Sequence, residues 1–362
     1  MESASRIQIS DESLDTHWDE FVASLPHGHH VQTSLWGQVK ATTGWRALRI
    51  KVLDHDSIAG GLQVLFRSLP MVGGYGYVTK GPLFKSSDPV LMETVLAELT
   101  KLIQKNHWRY FAVQPPVDDR PLENKLLALG FTPTHVELAP TASILIDLAP
   151  DYKDILAQMK RQTRQNINRS EREGMAVREG GREDIHTLYQ LNSSTSQRQD
   201  FIPFPESYFL QMWDIFEPYG YIKLLLSEYN HESVSALLLI PFGNTVIAKV
   251  LGWSGLHQER RPNEAVFWGA IRWSKEHGYR YFDFEGIDPD GARAVLSGQP
   301  LPEPLKRKPD FFKYGFGGKV TLYPGAYEMI PDPVIRWAYH QILPPNGNKS
   351  LYLKVYDLIR KR

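Results

Sequence analysis

The stretch 309–327, PDFFKYGFGGKVTLYPGAY, concentrates the residues best able to do chemistry. Its first ten residues hold four aromatics, one lysine and three glycines. Lys313, between Phe312 and Tyr314, sets a cation among apolar rings, where its field is poorly screened. Gly317-Gly318 admits positive φ and close backbone approach, so main-chain N–H groups can turn toward a ligand there. The same residues also fit a strand entry with an aromatic anchor and a solvated lysine. Upstream, Asp283 and Glu285 alternate in YFDFEG, which on a strand puts both on one face, where one could take a proton from an amine. Asp283 fits equally well as a strand-end carboxylate bonded to backbone or to an arginine. Residues 158–172 (QMKRQTRQNINRSER) carry Lys160, Arg161, Arg164, Arg169 and Arg172 against the single acid Glu171. Such a helix can follow a nucleic-acid backbone or simply face water. His27, His29 and His30 sit in a Pro/Gly turn with no carboxylate at ligand spacing, so they read as a solvated loop and imply no metal.

The elements that must position these groups occur twice. In the first half the pattern gives a strand at 7–9, a helix over 12–24 and a helical piece over 31–42. Strands follow at 45–53, 57–69 and 74–83, then an amphipathic helix over 88–106 with Val90, Leu91, Val95, Leu96, Leu99, Leu102 and Ile103 on its apolar face. A buried strand at 109–114 and a short helix ending at 129–131 close the unit. The second half repeats the order, with strands at 221–228, 233–241 and 245–254, a helix over 263–277 and a strand at 279–284. Between the halves, 150–198 reads as mostly helical, broken at Gly174, Gly180 and Gly181. Two copies of an antiparallel meander, a helix and a further strand predict mixed α/β units side by side.

Composition narrows the function. The 362 residues exceed what one core usually serves, so two domains are expected. Forty-one acids balance forty-one bases, which leaves no global field for nucleic acid or membrane; any such contact is a local patch. No cysteine is present, which excludes disulfides, thiol nucleophiles and thiolate metal sites and is compatible with a cytoplasmic protein. The polar, acidic N-terminus does not read as a signal peptide. The most apolar region, 235–253, is broken by Pro241, Gly243, Asn244 and Lys249, so it reads as two strands rather than a membrane span.

The meander–helix–strand order is that of the GNAT N-acyltransferase fold, which raises the question of a CoA cofactor. CoA phosphates need a glycine-rich loop opening the helix after the third meander strand. The corresponding loops here, HQERRPN at 257–263 and FKSSD at 84–88, contain no glycine, so CoA is disfavoured. The glycines of 72–77 are followed by a strand rather than a helix, so they form no dinucleotide loop.

Two GNAT-like halves without a CoA loop resemble the Fem (FemABX) aminoacyltransferases, which build peptidoglycan side-chain bridges. The resemblance spans nearly the whole chain and rests on QTSLW at 32–36 followed by Lys40, on Lys80-Gly-Pro82, and on TSQR at 195–198 with Tyr208-Phe209. It continues through Glu264-Ala265, YFDFEG at 281–286 and FKYGFGG at 312–318. No heptad run appears, so the chain is similar to the compact members that lack a coiled-coil arm.

That resemblance implies amide formation between an aminoacyl-tRNA and an amino group of a peptidoglycan precursor, with no cofactor. It implies Lys313, flanked by Phe312, as the oxyanion stabiliser. Lys40 and Arg198 match the precursor-binding basic residues, and Trp36, Lys80, Tyr208, Trp253, Gly317 and Gly318 complete the expected substrate-binding set. Asp283 is the expected third catalytic group, and Arg161, Arg164 and Arg169 are the expected tRNA contacts. Bridge-forming members carry an acidic residue soon after the Gly-Pro pair, whereas this chain has Leu83-Phe84-Lys85, so its acceptor positioning differs. The expected domains are 1–149 for the precursor, 150–319 for the aminoacyl end and catalytic lysine, and 320–362 packing back on the first. A cytoplasmic monomer, in solution or at the inner face of the membrane, acting on a UDP-linked or lipid-linked muropeptide, is the expected setting. A GNAT-like N-acyltransferase with another amine acceptor, or a non-catalytic binder of precursor or RNA, stays open. The basic, aromatic segment 351–362 and the helix over 334–343 fit either a membrane surface or packing onto the first domain.

Overall fold

The structure is a computed structural model that describes residues 6–69 and 73–342. Two compact units form, Met1–Ala139 with Tyr323–Arg362, and Pro140–Leu322. The first boundary therefore falls ten residues before the expected 149/150, because residues 142–147 pair into the second unit's sheet.

In chain order, the first unit contains β1 (Arg6–Ser10), α1 (Thr16–Ser24), α2 (Ser34–Ala41), β2 (Arg46–Asp54), β3 (Ser57–Leu69), β4 (Gly73–Thr79) and β5 (Leu83–Phe84). Then come α3 (Pro89–Lys105), β6 (Trp108–Gln114), α4 (Arg120–Ala128) and β7 (Thr132–Thr134). The second unit contains β8 (Ala142–Asp147), α5 (Tyr152–Gln158), α6 (Arg161–Arg172), β9 (Ala176–Gly180), α7 (Ile185–Gln199) and α8 (Glu206–Phe216). It continues with β10 (Lys223–Tyr229), β11 (Glu232–Phe242), β12 (Thr245–Trp253), α9 (Pro262–Glu276), β13 (Tyr281–Asp283), α10 (Pro289–Leu296) and β14 (Lys319–Leu322). Finally β15 (Ala326–Met329) and α11 (Pro333–Ile342) return to the first unit.

Both units are mixed α/β, each built on one sheet. The first sheet runs β1-β2-β3-β4-β6-β15-β7 with β5 beside β3, and the second runs β14-β8-β13-β12-β11-β10-β9. Each is an antiparallel meander joined to one parallel pair, β4 with β6 and β12 with β13, and a helix makes each parallel crossover. The helix of the first crossover, α3, starts where Asp88 caps it, accepting from the Val90 amide at 2.9 Å, with Pro89 at the first helical position. Its residues Leu91, Val95, Leu99 and Leu102 bury into the first core against Ile50, Val64 and Phe111. In the second unit α9 places Val266, Phe267 and Ile271 against Leu237, Val246 and Phe282.

Three expectations change. The interval 150–198 is not all helix: its glycine breaks enclose β9, an edge strand paired only to β10. The basic segment does not begin its helix at Gln158, which ends α5: its arginines lie on α6 alone, opened by Lys160, whose amide donates to the Gly315 carbonyl at 2.8 Å. His30 is fully buried, edge-on to the Trp36 ring at 5.2 Å, because it opens the turn that leads into α2. The segment 351–362 lies outside the described residues.

Candidate active site

The site begins at the end of β13. Phe282 and Phe284 are buried, and Phe284 packs its ring 5.1 Å from Phe267 and 5.2 Å from Phe316. That ring cluster fixes the strand end. Immediately after it, Glu285 (φ 38°) and Gly286 (φ 86°) turn the backbone into the left-handed region. Consecutive carbonyls of an extended strand point in opposite directions. The left-handed turn instead brings three of them together on one side. The Lys313 ammonium donates to the carbonyl oxygens of Phe284 at 3.0 Å, Glu285 at 3.2 Å and Gly286 at 2.7 Å.

Lys313 reaches this cage from the irregular turn Pro309–Phe316, which Phe312 anchors with its ring 5.3 Å from Phe267. Charge-assisted hydrogen bonds contribute about 1.5–3 kcal/mol each, whereas burying an ammonium costs several kcal/mol. Burial prevails and pulls the Lys313 pKa below the ordinary lysine value, while the carboxylates of Asp310, Glu285 and Asp283 pull the other way. The cation among rings that the sequence predicts is thus more accurately a cation held by main-chain oxygens, with the Phe312 ring anchoring the turn that carries it.

Asp283 and Glu285 do not share a face. The strand ends at Asp283, so the period of two stops there. Asp283 is buried and accepts from the Ser143 hydroxyl on β8 and from the Glu285 amide at 2.8 Å. The Glu285 carboxylate takes the Lys249 ammonium of β12 at 2.6 Å. Gly317 and Gly318 have the expected positive φ, and this chain itself approaches them: a Cβ on Gly317 would run into the Gln158 carbonyl oxygen, and one on Gly318 would lie 2.6 Å from that of Leu145. Their freedom is used in docking the turn against the end of α5 and against β8.

On the second unit the structure brings Arg198 and Trp253 together. The guanidinium stacks 4.9 Å from the indole and donates to the carbonyls of Trp253 and Ser254, the latter at 3.0 Å. Tyr208 is buried on α8 and stacked on Phe204 at 4.1 Å. The three expected tRNA arginines separate. Arg164 donates to the carbonyls that end α5, those of Met159 and, at 3.4 Å, Leu156. Arg169 pairs with Glu173 at 2.7 Å, and Arg161 is exposed.

On the first unit, α2 presents Trp36 and Lys40 one turn apart. Its start is fixed from two sides. The Gln32 amide side chain donates to Thr79 on β4 at 2.7 Å and accepts from the Gln63 amide on β3 at 2.7 Å. Asp19 accepts from the Ser34 hydroxyl at 2.6 Å, with burial pushing its pKa to about 6. The Lys40 ammonium lies 5.9 Å from the Trp36 ring and 6.0 Å from that of Trp45, a residue the sequence reading passed over. Lys80 is buried, with its ammonium 3.6 Å from the Tyr323 ring centroid. Among the described residues no group of three or more His, Asp or Glu stands where it could hold a metal ion. Likewise among them, no helix is long and apolar enough to cross a membrane.

Ser143 has no signal in the sequence, and Lys249 stands out there only as a break in an apolar region, the one charged residue in the strand TVIAKVLGW.

Parts of the chain match known families. Residues 14–125 match the FemAB family, and residues 157–292 match an acetyltransferase (GNAT) domain. A lipid II:glycine glycyltransferase of Staphylococcus saprophyticus is 25% identical over 240 residues, covering 63% of this chain and 57% of that protein. The same-named protein of Staphylococcus haemolyticus is 26% identical over 227 residues, covering 60% and 54%. The chain thus spans a little over half the length of these relatives. Among solved structures, FemX superposes with a TM-score of 0.79 at 18% identity, over 93% of this chain and 99% of that one. A tandem GNAT protein from the clavulanic acid biosynthesis pathway gives 0.52 at 11% identity, over 91% and 99%. These two likenesses bear on the fold, two tandem GNAT-like domains.

Proposed function

We propose that this chain, whose residues 14–125 match the FemAB family, is an aminoacyltransferase that moves an amino acid from an aminoacyl-tRNA to an amino group of a peptidoglycan precursor. The observation that carries this is the Lys313 ammonium, held in place by three carbonyls at the end of β13. In the reaction the amine nitrogen attacks the ester carbonyl carbon. A C–N bond forms, the ester C–O bond breaks, the amine gives up one proton and the departing ribose oxygen takes one. Negative charge grows on the carbonyl oxygen, and a fixed cation in a poorly solvated turn stabilises it without reorganising. We assign Asp283 to holding the turn through the Glu285 amide and Ser143, rather than to accepting the amine proton.

Each cation–indole pair, Lys40 with Trp36 on the first unit and Arg198 with Trp253 on the second, has by itself the chemistry to take a phosphate or a sugar of the precursor. The names of the relatives favour a lipid-linked acceptor. That setting would put the protein at a membrane face. Of the tRNA contacts, Arg161 and Arg172 present exposed cations on α6, and we transfer the role to them from Arg164 and Arg169.

The test offers radiolabelled charged tRNA with UDP-linked and lipid-linked muropeptides. Labelled product with either supports the proposal. Turnover with an acyl-CoA alone would instead support an N-acyltransferase with another acceptor, and no turnover would leave a binding protein.

A further inference from the structure

Glu285 is the point where two networks meet. Its main-chain carbonyl is one of the three that hold Lys313, its amide donates to Asp283, and its carboxylate takes Lys249. A non-glycine residue in the left-handed region costs about 1–3 kcal/mol and persists only where its surroundings over-determine it. Lys249 supplies one such constraint from the neighbouring strand. It lies half-buried between Ala248 and Val250, where an apolar residue would cost less to bury, so its charge has a use other than packing.

We propose that Lys249 is a positioning residue for Lys313. By holding the Glu285 carboxylate it keeps the 284–286 turn in the conformation that aims three carbonyls at the ammonium. It also keeps that carboxylate from closing on Lys313 as a salt bridge, which would neutralise the cation that the reaction needs. The charged groups around Lys313 make this competition real. Asp310 faces it from its own turn, and Asp283 and Glu285 face it from the end of β13. Asp310 is engaged by the Asp288 amide at 2.8 Å, Asp283 by Ser143 and an amide, and Glu285 by Lys249. Glu285 is engaged by a full charge, so releasing its carboxylate changes the field at Lys313. The inference rests on Lys313 acting as the oxyanion stabiliser, but its structural half is testable without turnover.

The experiment uses the full chain labelled with 13C at the lysine ε position, with the Lys313 resonance identified by its loss in Lys313→Met. Its titration is followed by NMR in the parent, Lys249→Met, Lys249→Arg and Glu285→Gln proteins, and kcat and KM are measured for each. In Lys249→Met the freed carboxylate joins the ammonium, so the Lys313 titration moves to higher pH. There kcat falls about tenfold or more, while the precursor KM stays at the parental value. In Glu285→Gln the titration moves the opposite way, to lower pH. Lys249→Arg restores the parental profile. If Lys249→Met fails to fold, Glu285→Gln carries the test alone. Parental Lys313 titration in folded Lys249→Met and Glu285→Gln overturns the inference. A folded Lys313→Met with parental kcat overturns the oxyanion reading instead, so the two failures are told apart.

Discussion

The Lys313 ammonium lies 2.7 Å from the carbonyl oxygen of Gly286, a residue whose φ of 86° is what turns that oxygen inward. Two carbonyls beside it complete a cage that satisfies the cation while leaving it half-buried. This arrangement has a pH signature. Burial lowers the Lys313 pKa, and in the proposed reaction the ammonium is the active form. Activity should therefore fall as pH rises, with an alkaline limb below the ordinary lysine value of about 10.4. Stability moves the other way. Between the folded pKa and the unfolded one the unfolded chain binds more protons at this group, so its contribution to stability rises with pH over that window. A pH–rate profile beside denaturation at matched pH checks both signs. A limb at or above the unperturbed value would remove Lys313 from the step.

The two glycines after the cage give a stability prediction. Gly317→Ala should destabilise by about 1–3 kcal/mol from the backbone alone, with more from the approach to Gln158. Urea denaturation measures it. A change under half a kcal/mol would show that the turn is not docked this way.

Arg164 and Arg161 separate a structural from a binding role on one helix. Arg164→Gln removes the donor that ends α5 and should cost about 1 kcal/mol of stability. Arg161→Gln should leave stability alone but lower the salt slope of tRNA binding by about one unit. Thermal denaturation and binding titrations at several salt concentrations distinguish them. The reverse pattern would return the tRNA role to Arg164.

For the precursor, Lys40→Ala and Arg198→Ala should each weaken binding by about 1.5–3 kcal/mol, less at high salt. Calorimetry against UDP-muropeptide reads this directly. Parental affinity in both would move the diphosphate elsewhere, with Lys80 and Lys85 the next basic pair.

Legibility of the sequence follows the range of the forces involved. Helix α3 reads clearly because its cap, its proline and its apolar period are all local. The meanders read clearly because their apolar runs are separated by turn residues, as at Tyr229-Asn230-His231 between β10 and β11. Strand β9 does not, since Ala176–Gly180 is short and largely exposed and exists only through pairing with β10. At the site, the sequence points to Lys313 but not to its partners. Nothing in FDFEG announces that Glu285 adopts φ 38°, because strain of that kind is imposed by neighbours distant in sequence. Glycine permissiveness at 317–318 is equally visible, yet what approaches it comes from residues 145 and 158. Charge pattern alone cannot tell Arg161, which faces water, from Arg164, which ends a helix.

The central claim is that Lys313 stabilises the charge that forms as the amide is made. Single-turnover transfer from charged tRNA to the precursor, comparing parent with Lys313→Met, tests it most directly. If Lys313 has this role, the rate in the variant is about a hundredfold lower or more, with precursor affinity unchanged. A folded Lys313→Met that transfers at the parental rate would contradict it.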